Sequence, residues 1–155
     1  MTEVYHLTKE GLNRIKEEHE RLLELRRKKT LGEEVPSSWH SEEVNPDYLA
    51  YQEDMNLLEA KIEEYEAILR NVEIIKPPEK EKRNEVQLGA VIKVEVDKEQ
   101  DEFTLVGSLE ANPMVGKISN ESPVGHALIG RRVGEEVVVN SSIQIRYRIL
   151  HISYE

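Results

Sequence analysis

The residues of this chain best suited to chemistry on phosphates lie in one stretch, Trp39-His40-Ser41-Glu42-Glu43-Val44-Asn45-Pro46-Asp47. Glu42, Glu43 and Asp47 are hard oxygen donors of the kind Mg²⁺ takes. Metal-assisted phosphoryl transfer uses such carboxylates to place a cation and an attacking water. Adjacent side chains diverge on regular structure but can converge in an irregular loop. The plain alternative is a set of solvated loop acids, with Asp47 serving only the positive end of a helix. Trp39 is the only tryptophan of the chain. If exposed, it marks a contact surface; otherwise it folds back on its own neighbours. His40 is a candidate base or ligand, or an ordinary loop histidine. A second group, Arg26-Arg27-Lys28-Lys29, could face phosphates or an acidic wall. It could equally be a solvated face paired with Glu53, Asp54 and Glu59. No nucleophile–base pair and no phosphate loop suggests an enzyme in its own right.

Two long helical runs position these groups. From Tyr48 the apolar residues are Tyr48, Tyr51, Met55, Leu58, Ile62, Tyr65, Leu69 and Val72. Steps of three and four alternate throughout, which is the seam of a coiled coil. Leu12, Ile15, His19, Leu22 and Leu25 form the matching stripe. Thr8 is the expected cap of the first helix, which should end near Glu34 because Pro36 disfavours helix just before it. Asn45-Pro46-Asp47 is a helix start, with Asn as cap and Pro at the first helical position. The second helix should reach about Asn71. Two helices of about 25 residues, roughly 38 Å each, predict an antiparallel hairpin with its acids at the tip. Arg26, Lys29 and Glu33 occupy the stripe on the tip side of helix one, so the distal half should be the less stable. Tyr48 and Tyr51 can cover the stems of these long side chains.

Pro77-Pro78-Glu79-Lys80-Glu81-Lys82 reads as a stiff polar linker. Beyond it the apolar period falls to two: Ile92, Val94 and Val96, then Ile143, Ile145, Tyr147 and Ile149, each alternating with polar residues. These, with segments 102–106 and 135–139, are expected antiparallel strands, and 97–101 is the expected turn. Ser122-Pro123 should open a short helix that Gly130 ends. The fold class is therefore α+β: a coiled-coil hairpin over residues 1–76, a linker over 77–84 and a small twisted antiparallel sheet domain over 85–155.

Composition narrows the class. A net charge of −10 argues against a surface built for nucleic-acid phosphates. Without cysteine, neither disulfides nor thiolate metal sites are available. The first residues lack the apolar core of a signal peptide, and no apolar run nears the ~20 residues of a membrane span. A soluble, cytoplasmic monomer is expected.

Three motifs carry a resemblance. Leu7-Thr8-Lys9-Glu10-Gly11-Leu12 is similar to the entry to helix one of the Gre transcript-cleavage factors of bacterial RNA polymerase. Asn45-Pro46-Asp47-Tyr48-Leu49-Ala50 resembles the start of their second helix. Ser122-Pro123-Val124-Gly125-His126-Ala127-Leu128-Ile129-Gly130, followed by Val133-Gly134-Glu135-Glu136-Val137-Val138-Val139, is similar to their C-terminal signature. The resemblance implies an FKBP-like second domain that docks on the rim of the polymerase secondary channel, with Ser122, Pro123 and Gly125 at the contact. It implies a hairpin sent down the channel, basic residues 26–29 near the RNA 3′ end, and tip acids that help hold Mg²⁺ at the polymerase active site. It also implies that the factor binds no cofactor alone. Against the family pattern Gly-Asp-x-x-Glu-Asn, anchored on Asn45, Ser41 stands at the Asp position and Val44 at the Glu position. Neither can be a charged ligand, although Glu42 and Glu43 lie beside them and Asp47 matches a family acid. Two roles follow: cleavage of backtracked RNA through shifted acids, or a non-cleaving inhibitor filling the same channel. A prolyl isomerase or chaperone is a third class, for which the single phenylalanine, Phe103, offers no aromatic pocket.

Overall fold

A computed structural model of the chain describes residues 3–31 and 46–154. Two compact units emerge, one of Leu12–Asn71 and the other of Glu3–Gly11 with Val72–Glu155. The division expected at 76/77 thus falls at 71/72, and the N-terminal segment joins the second unit.

The first unit is a helix pair. Helix α1 spans Lys9–Leu31 and α2 spans Pro46–Arg70. Thr8 caps α1 as expected: its Oγ1 accepts from the Gly11 N–H at 3.0 Å. Pro46 opens α2, where its missing N–H leaves no helical hydrogen bond unmade. Leu22, Leu58 and Ile62 are buried between the helices, with Leu23, Leu25, Met55 and Tyr65 packed around them. His19 Nε2 lies 3.3 Å from Glu66 Oε1, and Arg26 Nη1 lies 3.2 Å from Glu59 Oε2. Ascending numbers on one helix meet descending numbers on the other, so the pair is antiparallel. The buried cluster stops at Leu25 and Met55. Beyond it Tyr51 donates its hydroxyl hydrogen to the Lys29 carbonyl at 3.0 Å, satisfying one of the last-turn acceptors of α1. The helix ends at Arg70, and Val72, expected on the seam, is a strand residue.

That strand, β2 (Val72–Ile74), pairs in parallel with β1 (Tyr5–Leu7), matching Tyr5 with Val72 and Leu7 with Ile74. Tyr5-His6-Leu7 and Val72-Glu73-Ile74 each alternate apolar and polar residues, but three residues are too few to establish a period, and each strand is held by the other. The main sheet has five strands: β3 (Ala90–Val96), β4 (Glu99–Val106), β5 (Lys117–Ser119), β6 (Glu136–Asn140) and β7 (Gln144–Tyr154), in the order β5-β4-β3-β7-β6. The expected antiparallel sheet is mixed, because β5 runs parallel to β4. Short 3₁₀ turns at Ser108–Glu110 and Pro113–Val115 lie in the connection between those two strands. The expected turn at 97–101 narrows to Asp97 and Lys98, both with positive φ, and β4 resumes at Glu99.

Ala90, Ile92 and Val94 are fully buried from β3, as are Leu105 from β4 and Leu128 from the short helix α3 (Pro123–Leu128). In β7 the inward residues are Tyr147 and Ile149, then Ile152. The odd alternation breaks because Lys93 pairs with His151 while Val94 pairs with Ile149, leaving Leu150 as an extra residue. The bulge switches the parity that the sequence shows as far as Ile149. Tyr154 then reaches back to the linker side. Its hydroxyl donates to the Glu85 carbonyl and accepts from the Gln87 N–H at 2.9 Å. Burial pushes this phenol above its ordinary pKa, partly offset by the Gln87 N–H. The segment read as a linker carries a 3₁₀ turn at Lys80–Lys82, and the Arg83 guanidinium donates to the Pro78 carbonyl at 3.0 Å.

Candidate functional site

The candidate tip residues Trp39, His40, Ser41, Glu42, Glu43, Val44 and Asn45 lie outside the described residues. Asp47 lies within them, exposed in the first turn of α2, where a carboxylate complements the positive helix end. Among the described residues no group of three or more His, Asp or Glu side chains could hold a metal ion.

The basic run divides by partner. Arg26 is engaged across the helix pair by Glu59 at 3.2 Å, the pairing expected of a balanced face. Arg27 binds Glu24 on its own helix through Nε at 3.2 Å and Nη2 at 2.8 Å. That hydrogen bond is the main cause holding the Glu24 carboxyl below its ordinary range. Lys28 is exposed and Lys29 half-buried in the last turn of α1. Cations there complement the negative helix end. Among the described residues, Lys28 is thus the exposed member of the run with no hydrogen-bonded acid, although its charge also helps hold the Glu24 carboxyl down.

The Ser-Pro-x-Gly motif has a full structural account. Ser122 Oγ accepts from the Gly125 N–H at 3.1 Å and donates to the Ser119 carbonyl at 2.6 Å. One hydroxyl thus caps α3 and ties it to β5. Pro123 is exposed at the first helical position. Gly125 is buried, and a Cβ there would lie 2.0 Å from the Ser119 carbonyl oxygen and 3.1 Å from Leu105 Cδ1. Of the three residues expected at a docking contact, Ser122 and Gly125 are thus engaged within the domain, and Pro123 is the exposed one. The turn beside this motif was not legible in the sequence. Ser108 Oγ donates to Glu121 Oε2 at 2.7 Å and lies 3.3 Å from Ser119 Oγ. The Ser and Glu of Gly107-Ser108-Leu109-Glu110 carry no pattern that marks them before the chain is folded.

Residues 80–154, which include the whole main sheet and α3, match the family model described as the C-terminal part of transcription elongation factor GreA/GreB. The transcription elongation factor GreA of Thermomicrobium roseum is 38% identical over 136 residues, covering 87% of this chain and 87% of that protein. The chain belongs to the GreA/GreB family of transcription elongation factors. The Thermodesulfovibrio yellowstonii GreA is 37% identical over 159 residues and covers 100% of both chains, so the GreA/GreB likeness extends through the helix pair. The crystal structure of GreA factor homolog 1 (Gfh1) of Thermus thermophilus is 26% identical, covers 97% of this chain and 99% of that one, and has a TM-score of 0.43. The family-model match covers β3 to β7 and α3. It also places Ser122, Pro123 and Gly125 in the matched segment. No described helix is long and apolar enough to cross a membrane.

Proposed function

We propose that this chain is a monomeric cytoplasmic factor that binds bacterial RNA polymerase, docks through its second unit at the secondary channel and sends the α1–α2 hairpin toward the active site to modulate elongation. The observation that carries this reading is the GreA likeness over the full chain, together with a helix pair held by Leu22, Leu58 and Ile62. An antiparallel pair of helices is narrow, which suits entry into a channel. The docking surface would be Pro123 and the face around it, with Ser122 and Gly125 shaping α3 from within.

Two readings of the tip remain, and both concern what the factor does on arrival. In one, Glu42 and Glu43, with Asp47, bring carboxylates to a Mg²⁺ held by the polymerase, and the polymerase cleaves its backtracked RNA. In the other, the factor fills the channel without stimulating cleavage. Ser41 and Val44 favour the second, because neither a hydroxyl nor an isopropyl group carries the negative charge that attracts a hard cation. Under either, Lys28 is the cation best placed to meet the RNA 3′ end or an acidic channel wall.

A stalled, backtracked polymerase complex with labelled RNA tests this. Inhibited extension without shortened RNA supports the non-cleaving reading. Mg²⁺-dependent shortening that disappears in the Glu42→Ala/Glu43→Ala protein supports the shifted acids; shortening that survives it removes them from the mechanism. Ser41→Asp with Val44→Glu should give the cleaving activity to a non-cleaving parent. No binding to polymerase and no effect on extension would overturn the proposal.

A further inference from the structure

A helix commonly begins with a capping box, in which a Ser or Thr caps the N–H three residues on and a Glu or Gln at that position returns to the N–H of the cap. Helix α1 has the first half: Thr8 Oγ1 accepts from the Gly11 N–H at 3.0 Å. The second half is missing locally, because the residue three positions on is Gly11, which has no side chain to return. In the structure the carboxylate arrives from residue 110 instead. Glu110 Oε2 accepts from the Thr8 N–H at 2.7 Å, and Glu110 Oε1 accepts from the Thr8 hydroxyl at 2.6 Å. Hydrogens run in one direction, from the Gly11 N–H to Thr8 Oγ1 and from the Thr8 hydroxyl to Glu110. The negative charge sits on the positive end of the helix.

Gly11 fits this arrangement as the receptor. A Cβ there would lie 2.3 Å from Glu110 Oε1 and 2.4 Å from its carboxyl carbon. Any other residue would require the carboxylate to shift from this position. Glycine inside a helix is otherwise unfavourable, so the missing side chain is explained by what occupies its place.

We propose that Glu110 is a positioning residue for α1, supplying from the connection between β4 and β5 the carboxylate of a capping box split across 102 residues of chain, with Gly11 as its paired requirement. The turn that holds Glu110 also carries Ser108, whose hydroxyl reaches Glu121 and Ser119 beside the α3 cap. One three-residue turn therefore grips the root of α1 on one side and the Ser-Pro motif on the other, all within the second unit. This device is independent of what the hairpin binds.

The test uses four full-length proteins: wild type, Glu110→Ala, Gly11→Ala and the double variant. Amide hydrogen exchange is read at Thr8 and Gly11 against the β3 and β7 amides, alongside thermal midpoints. In Glu110→Ala the Thr8 amide should exchange about tenfold faster or more, as expected for loss of a hydrogen bond to a charged group, relative to the β3 and β7 amides. Gly11→Ala should produce the same loss by displacing an intact Glu110. In the Glu110→Ala background, Gly11→Ala should instead raise the midpoint, because alanine is then only a better helix former. Glu110→Gln, with one acceptor oxygen in place of two, should fall between wild type and Glu110→Ala. If Gly11→Ala alone fails to fold, the double variant measured against Glu110→Ala decides the sign. Unchanged Thr8 exchange in Glu110→Ala, or a Gly11→Ala effect of the same sign in both backgrounds, would overturn the proposal.

Discussion

Replacing Gly125 with alanine separates a packing role from a docking role. The added Cβ would lie 2.0 Å from the Ser119 carbonyl oxygen, and real Cβ atoms essentially never approach closer than 3.0 Å. Helix α3 must therefore move by about 1 Å from β5. The obstacle is backbone, held in a parallel ladder with β4, so the helix must give way. Overpacking of this kind costs ~1–3 kcal/mol. The movement also weakens the hydrogen bond from Gly125 N–H to Ser122 Oγ, and loss of a cap costs ~0.5–2 kcal/mol. Against this stands the helix propensity of alanine over glycine, at most ~1 kcal/mol. The net expectation is destabilisation by about 0.5–4 kcal/mol, or at least about 2 °C in Tm for a unit of this size. The assay is thermal unfolding followed at second-unit residues by NMR, with Leu105 and Leu128 as reporters of the α3 seat. Polymerase binding is then measured well below the midpoint of the variant. A Gly125→Ala protein with unchanged stability and lost binding would refute the packing argument and assign the residue to the interface directly.

In the helix pair, Ile62→Ala should cost ~2–5 kcal/mol, because Ile62 is buried between the helices. Arg26→Gln should cost no more than ~1 kcal/mol, since it removes a single pair between two partly exposed side chains; helical circular dichroism against urea distinguishes the two. For pH, the folded-state phenol of Tyr154 lies above its unfolded value of about 10. Its contribution is therefore fully present below pH ~10 and is lost as pH rises through the higher folded value. Burial also raises Tyr147, which adds a loss of the same sign. Tyr154→Phe should flatten part of this alkaline loss. At neutral pH it should cost ~1–3 kcal/mol, by leaving the Glu85 carbonyl and Gln87 N–H without their partner. Midpoints measured from pH 7 to 11 check both statements.

Much of the architecture was legible because it is written in periodicity. The alternating three-four stripe placed Leu22, Leu58 and Ile62 between two helices, and the period-two runs placed Ile92, Val94, Tyr147 and Ile149 inside a sheet. Capping chemistry is equally local: Thr8, Pro46 and Ser122 start helices within one residue of where their types put them. The short strands β1, β2 and β5 were not legible, since three residues make no period and each exists only because a partner strand is present. The parity switch at Leu150 escaped for a similar reason, because a bulge is a property of a strand pair. At the candidate site, the Ser-Pro-x-Gly motif was visible, but the reason for its glycine was not. Nothing near residue 125 announces that the Ser119 carbonyl will press against it.

What the sequence determined by itself is what acts over a few bonds: helix periods, caps, and the change from period 3.5 to period two. Tertiary structure alone decided what requires residues far apart to meet. Glu110 completes a cap begun at Thr8, and Arg26 pairs with Glu59 across the helix pair. The N-terminal strand belongs with the sheet domain rather than with the helix that follows it. The physical reason is that a carboxylate finds the nearest unmet donor in space, and only the folded chain determines which donor that is.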